Sequence, residues 1–319
     1  RLQASTYDRA NFRTRALWTA KINTKILWRL RRELRRADEI LFTGSPPFFI
    51  QFLVPLNVFL RKRLTYRITD FHPECLIAEL AQRGPVPRTL RLFQRFTYAL
   101  RRRIHRFEVL GEDQRRRLHE VGIADERIVL RRDPSPIEFP SEVSPLAPPA
   151  ELAGKVLLLY SGNFGVAHDD RTFVDGYLHH HREGSGRVAL WLNATGARAD
   201  QVEAALRAAG VPLHRSRPVP LGELPRLLVS PAAHLITLRD EFVGYVLPSK
   251  VHACIESGRT VLFVGSATSD VDLLCRDRLA ASRYFRVEVG DARGVARALE
   301  GIADAADASS SADAMADRA

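Results

Sequence analysis

The stretch YVLPSKVHACIESGRTVLFVG, residues 245–265, decides how the chain is read, because it runs turn, short helix, glycine stop and buried strand in that order. A helix that feeds straight into an apolar strand is half of a parallel αβ repeat. The same stretch puts Pro248, Ser249 and Lys250 at the helix head. Unpaired backbone N–H groups and aligned peptide dipoles make such a place attractive to phosphate. A plain Ser-capped helix with a solvated lysine reads the same locally, so the rest of the chain has to separate the two.

Working outward, strands are expected at 155–162, 187–196, near 211–219, and at 233–238, 260–265 and 284–290, with helices near 169–181, 199–209, 221–229, 249–257, 269–275 and 292–303. Six alternating pairs in 155–303 predict a doubly wound parallel domain. Upstream, 13–36 spaces Trp18, Ile22, Ile26, Leu30 and Leu34 four apart, an amphipathic helix. Strands then open at 39, 64, 106 and 127, with helices over 48–60 and near 87–104, so residues 1–139 form a second α/β domain. The proline-rich 140–154 is read as a linker and 304–319 as a low-complexity, disordered tail. The fold class is therefore α/β, two Rossmann-like domains facing across a cleft.

Totals narrow the function. With 319 residues the chain exceeds one ordinary core. Three cysteines, Cys75, Cys254 and Cys275, lie far apart and outside metal-ligand spacing, which points to reduced thiols and a cytoplasmic setting. The chain starts at Arg1 and its only methionine is Met315, so a preceding N-terminal segment is expected. The net charge of +11 is uneven: residues 1–140 hold 29 Lys/Arg against 15 Asp/Glu, leaving 19 against 22 for the remainder. Clusters such as RLRRELRR and RRRIHR, near Trp18, Trp28, Phe48, Phe49 and Phe52, suit an anionic membrane surface. The run at 48–60 is shorter than the roughly 18 apolar residues of a span, and Pro55 interrupts it.

The loop YSGNFGVAHDD, 160–170, ends an apolar strand with Ser161, Gly162, Asn163 and Gly165 before His168 and Asp169. Its glycines let backbone approach a ligand; it matches neither a Walker loop nor a dinucleotide fingerprint. In order, LLLYSGNFGVAHD, VALWLNATG, VPLGELPRLLVSPAAHLITL and LPSKVHACIESGRTVLFVG resemble the donor domain of GT-B glycosyltransferases of the family 4 type. The segments ADEILFTGSPPFF, YRITDFHPE and FEVLGEDQRRRLHEVGIADERIVL resemble the matching acceptor domain, so the likeness spans most of 38–303, with the family's first strand and glycine-rich loop expected upstream.

That resemblance implies a nucleotide-sugar donor held by Ser161, Gly162, Asn163, Gly165, His168, Asn193, Glu241, Pro248, Ser249 and Lys250. It also implies a glycan or lipid-linked acceptor near Ser45, Pro46, Asp70, His72 and Glu74. Catalytic roles fall to Asp70, His72 and Lys250, the lysine stabilising a diphosphate leaving group. Asp70 and His72 read equally as acceptor base and as helix cap with a satisfied histidine, and Asp169 equally as ligand contact and N-cap. The family's two glutamates, eight positions apart, fall here on Tyr245 and Ala253; Asp240 and Glu241 lie just upstream. His179, His180 and His181, being consecutive on a helix, do not converge on one ion, and no cofactor or essential metal is expected. The rival reading is a non-catalytic basic protein of the same fold on nucleic acid or an anionic surface; nucleic acid is not the expected partner. A lesser alternative is a sugar-nucleotide epimerase.

Overall fold

The structure, a computed structural model, describes residues 12–135 and 137–316, and they form two compact units. The first unit takes the chain up to Arg132 together with Gly244–Leu247; the second takes Asp133–Val243 and everything from Pro248 on. The expected boundary at 139/140 thus falls earlier, and a tetrapeptide from the second half is built into the first unit.

In the first unit, α1 (Phe12–Arg29) and α2 (Arg31–Arg36) replace the single helix expected over 13–36. The break at Leu30 turns that residue outward, while Leu34 beyond it is buried. Then follow β1 (Glu39–Thr43), α3 (Ile50–Leu60), β2 (Arg63–Ile68), α4 (Glu74–Ala81), α5 (Arg88–Arg101), β3 (Arg106–Val109), α6 (Glu112–Glu120) and β4 (Ile128–Leu130). The helix α3 stops at Arg61, which adopts a left-handed conformation. There the Asn57 amide donates to the Lys62 carbonyl and accepts from its N–H. The four strands are parallel in the order β1-β2-β3-β4. Parallel strands need apolar cover on both faces, and Phe42, Leu64, Ile68, Phe107 and Val109 supply it with Leu53, Leu100 and Leu118 from the helices.

The second unit begins with the proline-rich segment, which is fastened rather than free. Ile137 and Leu152 are buried with Leu157, Trp191 and Leu227, and the Leu146 N–H donates to Ser230 Oγ at 2.8 Å. Next come β5 (Val156–Asn163), α7 (Arg171–Arg182), β6 (Val188–Thr195), α8 (Ala197–Ala208), β7 (Leu213–Ser216), α9 (Leu224–Val229), β8 (Ala233–Thr237), α10 (Lys250–Glu256), β9 (Thr260–Val264), α11 (Asp270–Arg278), β10 (Tyr284–Val287) and α12 (Ala292–Ala316). The six parallel strands run β7-β6-β5-β8-β9-β10, so the winding direction reverses between β5 and β8. In open α/β sheets a crevice forms outside the strand ends at that switch point. Here β5 pairs with β6 along all eight residues but with β8 only through Leu158–Ala233 and Leu159–His234, so β5 and β8 part toward their carboxyl ends.

The tail expected to be disordered from 304 is helical to Ala316; residues 317–319 lie outside the described residues, as do 1–11. Alanine is the best helix former, and the helix is also tied down. Arg187 ion-pairs with Glu300, Asp304 and Asp307, and Glu300 in turn bonds His180 Nδ1 at 2.7 Å and the Ser185 N–H.

Candidate active site

The chemistry gathers where β5 and β8 part. Tyr160, wholly buried, stacks on Phe164 at 4.2 Å between centroids and donates its hydroxyl to the Asn163 carbonyl. His168 stands edge-on to both rings and makes a 2.7 Å bond from Nδ1 to the Thr237 carbonyl, which fixes Nδ1 as the protonated nitrogen. Burial first, then the Lys250 and Arg198 charges, hold its pKa down at about 3, so the imidazole is neutral.

Lys250, the first residue of α10, lays its chain back over this aromatic floor. Its Nζ sits 3.3 Å from the centre of the Tyr160 ring and against Gly162, whose left-handed backbone (φ +121°) leaves the space open. The ammonium is buried and, among the described residues, has no hydrogen-bond partner. Burial lowers its pKa from 10.5 to about 7. An orphaned buried cation of this kind is costly unless something anionic meets it. The expected aid from the helix head is not realised: α10 is a single seven-residue piece, and Ser249 is itself helical with no capping bond. The attraction for an anion therefore rests on the lysine.

Two further cations were invisible to sequence reasoning. Arg198, at the start of α8, and Arg239, just after β8, converge on Asp170 Oδ1 at 2.6 and 2.8 Å, and Arg239 also donates to the His168 carbonyl. One carboxylate between two guanidiniums leaves the group positive. Charged residues within three positions of the ends of β6 and β8 were the available signal. The loops close tightly because Gly196 has φ +106° and a Cβ there would lie 2.8 Å from Asn163 Oδ1 and from the Phe164 carbonyl.

Other expected donor residues are placed differently. Asn193 is a brace: its amide donates to Ser216 Oγ and the Arg217 carbonyl and its oxygen accepts from Ser161 Oγ, which ties the ends of β5, β6 and β7 together and occupies both side chains. Asp169, just before the N-cap Asp170 of α7, accepts from the Thr172 N–H at 3.1 Å and so helps to hold the helix start. Asn163 and Ser249 are exposed, Gly165 and Pro248 half-buried, and Glu241 is exposed on a short turn at 240–242. Partial burial of the carboxyl raises the pKa of the neighbouring Asp240, with the Glu241 charge adding to it. Ala253 is buried in the α10 packing, and Tyr245 belongs to the first unit, where its carbonyl accepts from the Phe71 N–H and its ring lies 4.7 Å beneath the Arg117 guanidinium. The three histidines diverge: His179 bonds Glu183, His180 bonds Glu300 and the Val188 N–H, and His181 packs on Tyr177.

In the first unit, Ser45, Pro46, Asp70 and His72 lie on the loops after β1 and β2, adjacent parallel strands, so their carboxyl ends bring the four together. Thr43 Oγ1 fastens the Ser45 backbone, and the Phe48 ring, on a left-handed backbone (φ 63°), packs 5.6 Å from His72. Asp70 is exposed as a residue, yet the atoms around its carboxyl push its pKa up, against the pull of the His72 charge. Glu74 does not join them: it is buried in an ion pair with Arg101, which also bonds the His72 carbonyl and stacks on Phe71. A carboxylate so engaged is structural.

No protein-family model and no curated protein matches the chain. Solved structures do. Anabaena HepE (Alr3699) in complex with UDP and glucose superposes with a TM-score of 0.61 at 10% identity, over 88% of this chain and 70% of that one. The lipopolysaccharide outer core galactosyltransferase WaaB in its apo form gives 0.58 at 12%, over 93% and 74%. The α,α-trehalose 6-phosphate synthase of Burkholderia multivorans gives 0.56 at 14%, over 91% and 68%. At such identities the likeness speaks for architecture, and the architecture is the GT-B fold of glycosyltransferases.

Proposed function

We propose that the chain is a glycosyltransferase that moves a sugar from a nucleotide-diphosphate donor to a glycan or lipid-linked acceptor, in cell-surface polysaccharide synthesis at the cytoplasmic face of an anionic membrane. The reading rests above all on the orphaned Lys250 ammonium beside the Gly162 loop at the switch point of the second unit. Architecture shared with a UDP-bound and a galactosyl-transferring protein supports it. Among the described residues no helix is long and apolar enough to cross a membrane.

In this mechanism Lys250 meets the donor diphosphate, and the Arg198–Asp170–Arg239 group adds positive potential. As the bond from the anomeric carbon to the phosphate oxygen breaks, the nucleoside diphosphate leaves with the electron pair. The lysine stabilises that growing charge more than the ground state. The acceptor hydroxyl oxygen forms the new bond to the anomeric carbon and gives up its proton to a base of the first unit, His72 or the Asp70 carboxylate. No step calls for a metal ion, because side-chain cations neutralise the diphosphate.

The deciding experiment compares UDP and GDP binding by calorimetry, and donor turnover, in the parent and Lys250→Ala. Loss of about a hundredfold or more in turnover is expected, the usual scale for removing one preorganised charge-stabilising group. Equal rates would remove the assignment. Binding without nucleotide preference and with steep salt dependence would favour the non-catalytic basic protein instead.

A further inference from the structure

The exposed side of α5 combines basic and apolar residues. Its sequence, RTLRLFQRFTYALR, contains no acidic residue, and the next two positions are arginines as well. Thr97, Leu100 and Arg101 face inward and are buried. Outward, Leu92 and Phe96 stand 67% and 47% exposed. Arg88, Arg91, Arg95, Arg102 and Arg103 are exposed around them, and among the described residues none of the five forms an ion pair. At 3.6 residues per turn, positions 88, 91, 92, 95, 96, 99 and 102 share one side of the helix, with the arginines along one edge and the apolar pair along the other.

We infer that this face of α5 is the surface by which the protein docks on an anionic phospholipid bilayer. Unpaired arginines answer the lipid phosphates, and two large apolar side chains beside them answer the acyl boundary. Nucleic acid would meet the first demand and leave Leu92 and Phe96 idle. The face also leads toward the acceptor loops. Phe96 packs on Phe93 at 6.4 Å, Phe93 on Phe48 at 5.7 Å, and Phe48 on His72. A path of rings from a bilayer-facing helix to His72 suits an acceptor that carries a lipid, which narrows the proposed acceptor to the lipid-linked class; that narrowing rests on the glycosyltransferase reading, while the docking does not.

The test is sedimentation of the full chain with vesicles of phosphatidylcholine alone and of phosphatidylcholine mixed with phosphatidylglycerol, without donor or acceptor, and in parallel with duplex DNA. The parent should bind the mixed vesicles and not the neutral ones. Arg91→Glu with Arg95→Glu should weaken that binding by about tenfold or more, as expected from two charges at the surface. Leu92→Ser with Phe96→Ser should weaken vesicle binding and leave any DNA binding unchanged. As all four side chains are exposed, circular dichroism should report native folding, and Phe96→Trp offers an independent readout, a blue shift of its fluorescence on mixed vesicles only. Vesicle binding unaltered in both double variants, or a parent that sediments only with DNA, overturns the inference. Calorimetry with UDP on the same samples keeps the two proposals separable.

Discussion

The Lys250 ammonium rests on the face of the Tyr160 ring, 3.3 Å from its centre, with no oxygen among the described residues to receive its protons. The ring quadrupole partly replaces water there. Desolvation remains the larger influence, and it brings the lysine close to losing its charge at neutral pH.

Binding of a nucleoside diphosphate should therefore take up a proton. Below about pH 7 the free lysine is already charged and affinity is flat with respect to this group. Above that it must recover a proton to meet the phosphate, so affinity should fall by up to about tenfold per pH unit. Calorimetry in buffers of different ionisation enthalpy reads both the slope and the proton; an affinity that stays level as the pH rises above 7 would contradict the assignment.

The same group should cost stability. A lysine whose pKa is about 7 when folded, against 10.5 ordinarily, binds fewer protons in the native state than in the unfolded chain between those values, so its contribution to stability improves as pH rises through that window. At neutral pH the penalty is at most about 4 kcal/mol. Lys250→Met should raise the melting temperature at pH 7 while abolishing nucleotide binding. A lower melting temperature would show that the amine is better accommodated than its surroundings imply.

Glu74 and Arg101 are each about 1% exposed at the side chain. Truncating one leaves the other charged and dry, which costs about 3–5 kcal/mol, whereas replacing both with apolar groups of similar volume is often neutral. Glu74→Ala should thus unfold at much lower denaturant, and Glu74→Leu with Arg101→Met should recover most of the loss. If the double variant is no better than the single one, the hydrogen bond to the His72 carbonyl matters more than charge balance.

Acid should loosen α12. His180 is held below its usual pKa by burial and uses Nε2 to accept from the Val188 N–H, a role lost on protonation. Glu300 is pulled from 4.5 to about 2 by the Ser185 and His180 bonds, which outweigh its burial. Both groups bind fewer protons folded than unfolded, so their contribution is complete at neutral pH and declines as pH drops below about 6.5 and then from 4.5 toward 2. Hydrogen exchange at Ser185 and Val188 should accelerate over that range, and Glu300→Gln should flatten the lower part of the profile.

Gly196→Ala tests the loop closure. A Cβ 2.8 Å from two oxygens, on a backbone that L residues avoid, should cost about 1–3 kcal/mol and displace the 161–168 loop. Reduced nucleotide affinity together with a lower melting temperature is the expected pair of results; loss of stability with unchanged affinity would separate the loop from the site.

The sheet was legible because parallel strands advertise themselves as apolar runs, as Leu157–Tyr160 and Val261–Val264 do, with glycines and prolines marking the ends. Lys250 was legible because Pro-Ser-Lys opens a helix before such a run. Its partner Tyr160 was not, since a ring at the end of a buried strand reads as core. The burial of Glu74 is not legible because its partner lies 27 positions away on α5, and the bracing bonds of Asn193 are not legible because strand-end amides serve both as hands and as braces. The alanine-rich tail was mistaken for disorder because its anchor, Arg187, comes from the turn before β6.

Gly244–Leu247 has been lent by one half of the polypeptide to the other, where the Tyr245 carbonyl receives the Phe71 N–H. A cut at Arg132 alone therefore does not separate these halves cleanly. A transplanted C-terminal portion would arrive carrying four residues fitted to its former host, so grafting works only when Phe71 and Arg117, or equivalents, travel with them.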